Sequence, residues 1–316
     1  MLIFRTLDEL ALASQPLHLA LGVFDGVHVG HREVIQRTID EAAKSGGLSG
    51  VLTFDPHPIR VIAPAKAPSA LLETLEHKAK VVGALGVDVF VPLHFDEALA
   101  GMEAQEFIRK LSCADVRTIA VGEDWRFGHL RGGDATLLRN LSATCGFRLE
   151  AVPPVMHDGE RVSSTRIRQA IRDGNLVAAA AMLGRPYAVT GRVVEGRKIG
   201  RSLGFPTANL ATGQLQLPPD GVWGVRTLLP DSSIQPGVAN LGFRPTVDGL
   251  NHLLEVHLLD VSPALYGCDL EVTFEKFLRT ERRFESRERL QEQIHLDVRE
   301  ARAYFENDSD STPNGI

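Results

Sequence analysis

Two histidines, His28 and His31, lie three residues apart in a glycine-rich turn that follows an apolar run. The run over residues 17–21 predicts a buried strand, and the apolar positions of residues 33–44 predict a helix. Glycines let the backbone approach a ligand closely, and the amides at a helix start attract anions. The glycines of this turn are Gly22, Gly26 and Gly30. We therefore expect both imidazoles to face a phosphate and to stabilise charge on a departing pyrophosphate.

A second cluster, far along the chain, places three hydroxyl groups next to two arginines. The hydroxyl residues are Ser163, Ser164 and Thr165, and the arginines are Arg166 and Arg168. One such hydroxyl at a helix start is usually a cap worth about 1 kcal/mol, but three exceed what a cap requires. With permanently charged arginine forks beside them, they are typical donors to triphosphate oxygens. Taken singly, each cluster also fits an ordinary surface, with two solvated histidines or a capped helix.

Together the clusters resemble the His-X-Gly-His turn and the later Ser-Ser/Thr-X-X-Arg motif of the nucleotidyltransferase superfamily. The resemblance is closer to the adenylyltransferase module of bacterial bifunctional riboflavin kinase/FAD synthetases, and is carried in order and spacing by residues 24–28, 53–58 and 121–128. The second half of the chain resembles the riboflavin kinase module of the same family over residues 200–210, 240–246, 254–257 and 277–281. The matches run from about residue 22 to residue 284, and motifs in family order on both halves are not a chance occurrence.

The resemblance implies two consecutive reactions on one chain. The second module would phosphorylate riboflavin with ATP and Mg²⁺ to give FMN. The first module would then let the FMN phosphate attack the α-phosphate of ATP, which gives FAD and pyrophosphate. Because this attacking phosphate is already ionised, its site needs hydrogen-bond donors and alignment rather than a strong base.

In the first module, the resemblance implies catalytic roles for His28, His31 and Arg168. It assigns ATP to Gly22, Phe24, Asp25, Gly30, Ser163, Ser164, Thr165 and Arg168, and flavin to Phe54, His57, Pro58, Asp124 and Phe127. The residues alone leave alternatives open, because prolines beside His57 also make a rigid loop and aromatics beside strands are often core. Asp25 could hold His28, hold the turn or cap it. Trp125 stands where the family has phenylalanine, which would alter ring packing.

In the second module, the resemblance implies that Thr207 and Asn209 hold Mg²⁺, a cation that prefers oxygen ligands. It assigns ATP to Gly200, Gly204, Pro206 and Thr207. Glu255 alternates with apolar neighbours on a predicted strand and is the candidate general base toward the ribityl hydroxyl of riboflavin. Arg279 is expected to contact flavin, although it could instead pair with Glu281 on the surface. Without the resemblance, residues 206–209 are an ordinary turn that enters a strand, and Glu255 is a solvated strand residue.

The composition predicts two globular domains. A chain of 316 residues exceeds the size at which one core usually keeps growing. Its 34 basic and 40 acidic residues give a net charge of -6, which argues against a general binder of nucleic acid or membrane surfaces. The three cysteines form neither a disulfide framework nor a zinc pattern, and no segment predicts a signal peptide or a membrane span. We expect a cytoplasmic protein that is monomeric or weakly self-associating.

The spacing and length of the apolar segments change near residue 185. Before that point strands alternate with helices, which predicts a Rossmann-like α/β domain with a parallel sheet. The predicted strands are 17–22, 50–54, 87–91, 117–122 and 148–152. Afterwards short strands between turn signals predict a small antiparallel β-barrel. Its predicted strands are 188–195, 222–229, 237–240, 253–259 and 270–277.

These patterns predict an adenylyltransferase domain over residues 1–184 and a kinase barrel over residues 185–306. A helix over residues 286–305 is expected to pack on the barrel, and a polar tail over residues 307–316 is expected to be disordered. Loops 55–58 and 123–128 and the histidine turn all follow predicted strands, so one ligand could contact all three.

Two rival functions remain at this point. One is an adenylyltransferase for a nicotinamide or pantetheine phosphate, which would share both clusters but would not predict a barrel. The other is a noncatalytic flavin or nucleotide sensor, and turnover would exclude it.

Overall fold

A computed structural model describes residues 1–196, 200, 203–246 and 249–309. These residues form two compact units, which are described separately below. The first comprises Met1–Arg166 with Met182–Gly184, and the second comprises Ile167–Ala181 with the described residues from Arg185 onward. The boundary expected between residues 184 and 185 stays a prediction. Motif positions 201 and 202 and the tail positions 310–316 lie outside the described residues.

The first unit contains a six-stranded parallel sheet, as the alternating pattern predicts. Its strands are β1 (Leu2–Ile3), β2 (Leu17–Leu21), β3 (Leu48–Asp55), β4 (Val89–His94), β5 (Val116–Gly122) and β6 (Arg148–Val152). The order across the sheet is β1-β4-β3-β2-β5-β6, so the direction of strand addition reverses beside β2. In such sheets the carboxyl ends of the strands at the reversal form the ligand crevice. The sheet therefore positions the turn after β2 at a binding edge.

Helices cover the sheet on both faces. They are α1 (Val29–Ser45), α2 (Pro58–Ile62), α3 (Leu75–Ala84), α4 (Glu97–Ala100), α5 (Ala104–Leu111) and α6 (Ala135–Cys145). Successive residues of one strand enter opposite cores: Leu19 and Leu21 belong to one buried cluster and Ala20 to the other. This burial on both sides explains why β2 is apolar apart from His18, whose buried ring is hydrogen-bonded to Thr118. Three short 3-10 turns complete the connections, at Asp8–Leu12, Pro64–Lys66 and His129–Arg131.

A short hairpin and two helices follow β6. The hairpin strands are β7 (Met156–His157) and β8 (Glu160–Arg161), and the helices are α7 (Ser164–Arg172) and α8 (Leu176–Leu183). The hydroxyl cluster lies at the start of α7, as its residue types predict. The hairpin was not predicted, because two-residue strands carry no periodic signal.

The second unit contains a closed six-stranded antiparallel barrel, which confirms the second half of the fold prediction. Its strands are β9 (Ala188–Val194), β10 (Ala208–Ala211), β11 (Gly221–Leu228), β12 (Ile234–Thr246), β13 (Gly249–Leu258) and β14 (Asp269–Arg279). Leu210, Leu254 and Leu241 lie in register on three neighbouring strands and are fully buried. Their row marks one face of the barrel wall, and the residues that alternate with them lie on the other face.

The C-terminal helix, Arg287–Ser309, packs across the barrel. Val298, Ala301 and Phe305 of this helix bury Val222 and Val238 of the barrel. The prediction of disorder from residue 307 was wrong for residues 307–309, which continue the helix. Once a helix has formed, each added residue gains a backbone hydrogen bond, so polar residues extend it. Within the described part of the chain, no helix is both long enough and apolar enough to cross a membrane.

Candidate functional site

The turn between β2 and α1 has an unusual backbone. Phe24, Gly26 and Val27 all have positive φ angles, of 50°, 87° and 36°. A side chain at position 26 would also approach the Leu72 side chain to 2.5 Å, so glycine is required there. Positive φ at non-glycine residues costs roughly 1–3 kcal/mol each and is common where a chain is held for function. The turn is a tightly held structure and not a loose surface loop.

His28 caps helix α1 with its own side chain. The His28 Nδ1 atom accepts a hydrogen bond from the backbone N–H of His31 at 3.2 Å, and the residue is 6% exposed. Because Nδ1 is the acceptor, a neutral imidazole carries its proton on Nε2. The cap thus orients His28 so that Nε2 is its donor toward a ligand. A capping histidine is consistent with the predicted role at a phosphate.

His31 stacks on His28. The two ring centroids are 3.5 Å apart with the planes 16° from parallel, and Phe24 packs edge-on against His31 at 5.2 Å. Among the residues that the structure describes, the buried Nδ1 of His31 has no hydrogen-bond partner. Burial lowers the pKa of His31 well below its usual value, and electrostatic interactions with His28, Lys78 and Arg161 lower it further. The ring is therefore neutral at pH 7 and keeps one polar atom for a ligand.

Asp25 connects the histidine turn to a neighbouring segment of the chain. The Asp25 carboxylate accepts a hydrogen bond from the N–H of Leu72 at 3.0 Å. The Ser164 hydroxyl donates to the backbone carbonyl of Asp25 at 2.8 Å, although 139 residues separate the two. The structure therefore brings the histidine turn and the hydroxyl cluster together, as predicted.

The residues of the hydroxyl cluster have different positions. The Ser163 hydroxyl accepts from the N–H of Arg166 at 3.3 Å and so caps α7, while Thr165 is exposed. Arg166 donates to the carbonyl oxygens of the hairpin at His157, Glu160 and Arg161. Its guanidinium fixes the hairpin, which was not foreseen for a predicted phosphate donor. Arg168, which is 8% exposed, lies one turn after Ser164 on α7, in the part of that helix assigned to the second unit.

Two predicted flavin residues lie at the end of β3. Phe54 packs edge-on against Phe95 at 5.6 Å. His57 caps the short helix α2 by accepting the N–H of Ile59 at 3.3 Å, and Pro58 is the first residue of that helix. The loop is thus rigid, and its imidazole lies at the same edge of the sheet as the histidine turn, because β3 and β2 are parallel neighbours.

The remaining predicted flavin residues lie after β5. Phe127 is 7% exposed and belongs to the core, and Trp125 stacks on it at 4.4 Å. Trp125 therefore covers the ring that the sequence predicts to contact flavin. Asp124 pairs with Arg161 of the hairpin, one of whose nitrogens is 3.0 Å from a carboxylate oxygen.

In the second unit, polar residues form a row across three barrel strands. Asn209 of β10 lies directly opposite Glu255 of β13, and Glu255 lies directly opposite Asn240 of β12. Directly opposed residues share one face of a sheet with about 5 Å between their Cβ atoms. The Asn240 amide donates to a carboxylate oxygen of Glu281 at 3.2 Å. The predicted metal ligand and the predicted base are therefore neighbours.

Asn209 is buried at 5% exposure, and its Oδ1 atom has no hydrogen-bond partner in the described part of the chain. A Cβ on Gly196 would lie 2.3 Å from the Asn209 amide, so the backbone at 196 covers this side chain. An unsatisfied buried carbonyl oxygen costs about 1–3 kcal/mol. A bound cation would satisfy it, and the oxygen type fits Mg²⁺.

A cavity of about 230 Å³ adjoins these residues, and Pro206, Thr207, Asn209 and Tyr266 are among its lining. Gly200 lies beside Thr207, because a Cβ there would be 3.4 Å from the Thr207 hydroxyl, and the Gly200 carbonyl accepts the N–H groups of Leu203 and Phe205. Gly204 lies in the same segment and is exposed with φ 89°. The predicted nucleotide residues of the second module are therefore brought together.

Arg279 has a structural partner. Its guanidinium makes two hydrogen bonds with the carboxylate of Asp297 on the C-terminal helix, at 2.9 and 2.8 Å, and also donates to the Thr280 carbonyl. The surface pair with Glu281, which the sequence left open, is not what the described contacts show. The Arg279 guanidinium also lies 5.7 Å from the centre of the Phe284 ring.

Two residues that sequence reasoning missed support the histidine turn. Lys78 donates to the Val23 carbonyl at 2.7 Å, and Glu73 accepts the Gly26 N–H at 2.9 Å. Both side chains are buried. Their only sequence signal was a glutamate and a lysine five residues apart, a spacing that exposed surface residues share.

Two protein-family models match this chain, one on each part. Residues 11–166 match the family model described as FAD synthetase, and residues 183–305 match the family model described as riboflavin kinase. A bifunctional riboflavin kinase/FMN adenylyltransferase of Escherichia coli K12 is 41% identical, with 96% of this chain and 98% of that protein covered. A Pseudomonas fluorescens protein of the same description is also 41% identical, with 90% and 91% covered.

A solved structure is similar over nearly the whole length. The crystal structure of a protein from Streptococcus pneumoniae, described as a macrolide-efflux protein, is 30% identical with a TM-score of 0.81. The alignment covers 95% of this chain and 98% of that protein.

Proposed function

The chain belongs to the family of bifunctional riboflavin kinase/FMN adenylyltransferases, and on that premise we propose which of its residues carry each reaction. The two catalytic modules stand in the order predicted from the sequence. The rival interpretation as an adenylyltransferase for another cofactor does not account for the riboflavin kinase match over residues 183–305.

For adenylyl transfer, we assign His28 and His31 to the nucleotide phosphates. In this step an oxygen of the FMN phosphate attacks the α-phosphorus of ATP, and the bond to the β-phosphate oxygen breaks to release pyrophosphate. His28 donates a hydrogen bond from Nε2, because its Nδ1 is already an acceptor. Preorganised donors aimed at developing charge are worth roughly 10²–10³ in rate each. The observation that carries this assignment is the stacked pair of a capping histidine and a neutral, unsatisfied one.

Ser164 and Arg168 are assigned to the same reaction. The Ser164 hydroxyl donates a hydrogen bond to the Asp25 carbonyl and so holds the start of α7 against the turn. Its oxygen lone pairs stay available to accept a hydrogen bond from a group of the bound nucleotide. Arg168 supplies a permanent charge on the same helix, one turn later. The flavin of FMN is assigned to the loop edge that carries Phe54, His57 and Asp124, with Pro58 and Phe127 shaping it.

For riboflavin phosphorylation, we assign Glu255 as the general base. The primary ribityl hydroxyl attacks the γ-phosphorus of ATP, its proton passes to the Glu255 carboxylate, and ADP leaves. The support is the register that sets Glu255 opposite the buried Asn209. Positioning and charge neutralisation supply most of the rate in phosphoryl transfer, so the base contributes only part.

Thr207 and Asn209 are the proposed protein ligands for Mg²⁺. The unsatisfied Oδ1 of Asn209 fits a hard cation. When bound, Mg²⁺ supplies neutralisation of the charge on the ATP phosphates. Pro206 and Thr207 hold the nucleotide at the adjoining cavity, and Gly200 and Gly204 bracket the segment beside it.

The finer predictions belong to this proposal. We assign adenylyl transfer to residues 1–184 and phosphorylation to the barrel of residues 185–306. The lack of nucleic-acid and membrane partners, expected from the net charge of -6, stays a prediction, and so do a cytoplasmic location and a monomeric or weakly associating state.

One time course tests the proposal. The full chain is incubated with riboflavin, ATP and Mg²⁺, and the flavins are separated chromatographically. We expect FMN first and FAD after it. FMN without FAD, under both oxidised and reduced flavin, would contradict the assignment of the first module, and no product at all would favour a noncatalytic sensor.

A further inference from the structure

The segment 72–78, between the second 3-10 turn and the body of α3, packs against the histidine turn. It contributes Glu73, His77 and Lys78, and all three side chains are buried. Buried lysine and glutamate are rare in proteins unless they are paired, since taking an ion out of water is costly. The adenylyl-transfer assignment above does not use these groups.

Lys78 holds Val23, the second residue after β2. Its Nζ donates to the Val23 carbonyl at 2.7 Å and lies 3.4 Å from the Thr53 hydroxyl, which donates to the same carbonyl at 2.8 Å. Two donors on one carbonyl fix the direction of the chain as it leaves β2. The positive-φ residues Phe24, Gly26 and Val27 follow, and His28 comes directly after them.

Glu73 secures the far side of the same turn. One carboxylate oxygen accepts the Gly26 N–H at 2.9 Å, and the other lies 3.3 Å from His77 Nδ1. A second hydrogen bond joins the turn to the same segment, because the Asp25 carboxylate accepts the Leu72 N–H. The positive-φ residues are thus held at both ends by one segment of chain.

Electrostatic interactions also connect Lys78 to the site. Burial lowers the pKa of Lys78, and the carboxylates of Glu73, Asp25 and Asp55 oppose that effect. Lys78 in turn lowers the pKa of His31, as do His28 and Arg161. The ammonium group lies within electrostatic range of the stacked histidine pair.

We propose that Lys78 is a positioning residue for adenylyl transfer, which acts by holding the Val23 carbonyl and so fixing the turn that presents His28 to the phosphates. The proposal rests on the assigned role of the histidine turn. A methionine side chain would fill much of the same space, but it removes the positive charge that the carboxylates of Glu73 and Asp25 face, and the loss of one charge from a buried group of charges costs stability. What such a residue cannot supply is the hydrogen bond to Val23.

The test compares Lys78→Met, Lys78→Arg and a matched control, Lys80→Met, which removes an exposed lysine from the same helix. FAD formation is measured from FMN and ATP, and FMN formation from riboflavin and ATP, in each full-length preparation. We expect Lys78→Met to lower kcat for FAD formation about 10-fold to 100-fold, the cost of a small displacement of aligned groups. The KM for ATP and the rate of FMN formation should stay unchanged. Lys78→Arg should recover most of kcat, and Lys80→Met should match the wild type.

An unaltered kcat in folded Lys78→Met overturns the proposal, and so does an equal fall in both activities, which would reflect loss of folded protein. If Lys78→Met does not fold by circular dichroism, Lys78→Gln takes its place, because the shorter side chain cannot keep the 2.7 Å hydrogen bond to the Val23 carbonyl. A kcat for FAD formation that folded Lys78→Gln leaves intact then overturns the proposal. Failure of the wild type to form FAD would instead refute the assigned function of the turn.

Discussion

Asn209 and Glu255 face each other across neighbouring antiparallel strands, so the proposed metal ligand and the proposed base share one face of the barrel. The adjacent leucines, Leu210 and Leu254, pair on the opposite face and are fully buried. A shift of register by one residue would exchange these two faces. The buried leucine row therefore also fixes the alignment of the catalytic pair.

Removing the carboxylate of Glu255 should separate the two activities. Glu255→Gln keeps the shape of the side chain but cannot accept the hydroxyl proton, so FMN formation should fall about 100-fold or more. FAD formation from supplied FMN should not change. Rates of both reactions are measured chromatographically, with Glu300→Gln on the exposed face of the C-terminal helix as the matched control. Equal rates of FMN formation in Glu255→Gln and the wild type would show that another group takes the proton.

Removing the imidazole of His28 should have the opposite effect. His28→Ala deletes the Nε2 donor and the cap on the His31 N–H. We expect FAD formation to fall about 100-fold to 1000-fold and FMN formation to persist. Arg168→Ala should behave in the same way. A variant that loses both activities while its circular dichroism spectrum stays native would contradict the assignment of separate sites.

The metal dependence of phosphorylation should change when Asn209 is replaced. Asn209→Leu removes the unsatisfied Oδ1 atom. The Mg²⁺ concentration for half-maximal FMN formation should rise about 10-fold to 100-fold, which corresponds to the loss of one strong polar contact. A Mg²⁺ titration at fixed ATP measures the change, and the titration of FAD formation in the same variant is the control. Identical titrations for wild type and variant would remove Asn209 from the ligand set.

Stability should fall as the pH is lowered below about 6.5, and His31 should be one cause. Burial depresses the pKa of His31 in the folded chain, so the unfolded chain binds the proton more readily. The stability from this residue is present above the unfolded pKa and is lost as the pH falls toward the folded pKa, with a slope of at most about 1.4 kcal/mol per pH unit. His18, also with a lowered pKa from burial, acts in the same direction.

The measurement is the thermal unfolding midpoint between pH 7.5 and pH 5.0. His31→Gln should make that profile flatter than the wild-type profile. A steeper profile in the variant would show that His31 is already charged in the folded state.

The pair between Arg279 and Asp297 should matter for folding of the barrel unit. Asp297→Asn leaves the Arg279 guanidinium partly buried without its carboxylate, which costs about 3–5 kcal/mol for a buried pair. Replacing both residues, as Arg279→Met with Asp297→Leu, should cost less than the sum of the single changes. Denaturant unfolding of Arg279→Met, Asp297→Leu and the double variant gives the coupling energy. Additive losses would show that the two side chains act independently.

The sequence was sufficient to predict both fold classes, because their evidence is periodic. The strand before Gly22 is buried on both faces and is apolar apart from His18, while residues 253–259 alternate as a half-buried strand does. The histidines and the hydroxyl cluster were predicted together, and the bond from Ser164 to the Asp25 carbonyl confirms their proximity.

Other features depend on contacts that spacing does not encode. The roles of Glu73 and Lys78 come from a loop that returns to the turn some 50 residues later, and nothing in their local pattern distinguishes them from solvated residues. Arg279 was predicted to contact flavin. Its bidentate partner Asp297 lies on the C-terminal helix, which was expected to pack on the barrel, but the sequence pattern did not specify which side chains would meet there. The helix also runs to Ser309, past the predicted start of the tail.

The strand order of the two sheets has a consequence for behaviour at high concentration. An unpaired sheet edge can recruit a strand from another chain and begin aggregation. The barrel is closed, and one border of the parallel sheet is the two-residue strand β1. At the other border, β6 carries Arg148 and Glu150, which pair with each other. Among the described strands, neither the barrel nor the six-stranded sheet has a long apolar edge strand. We therefore expect little edge-to-edge strand pairing between chains at high concentration.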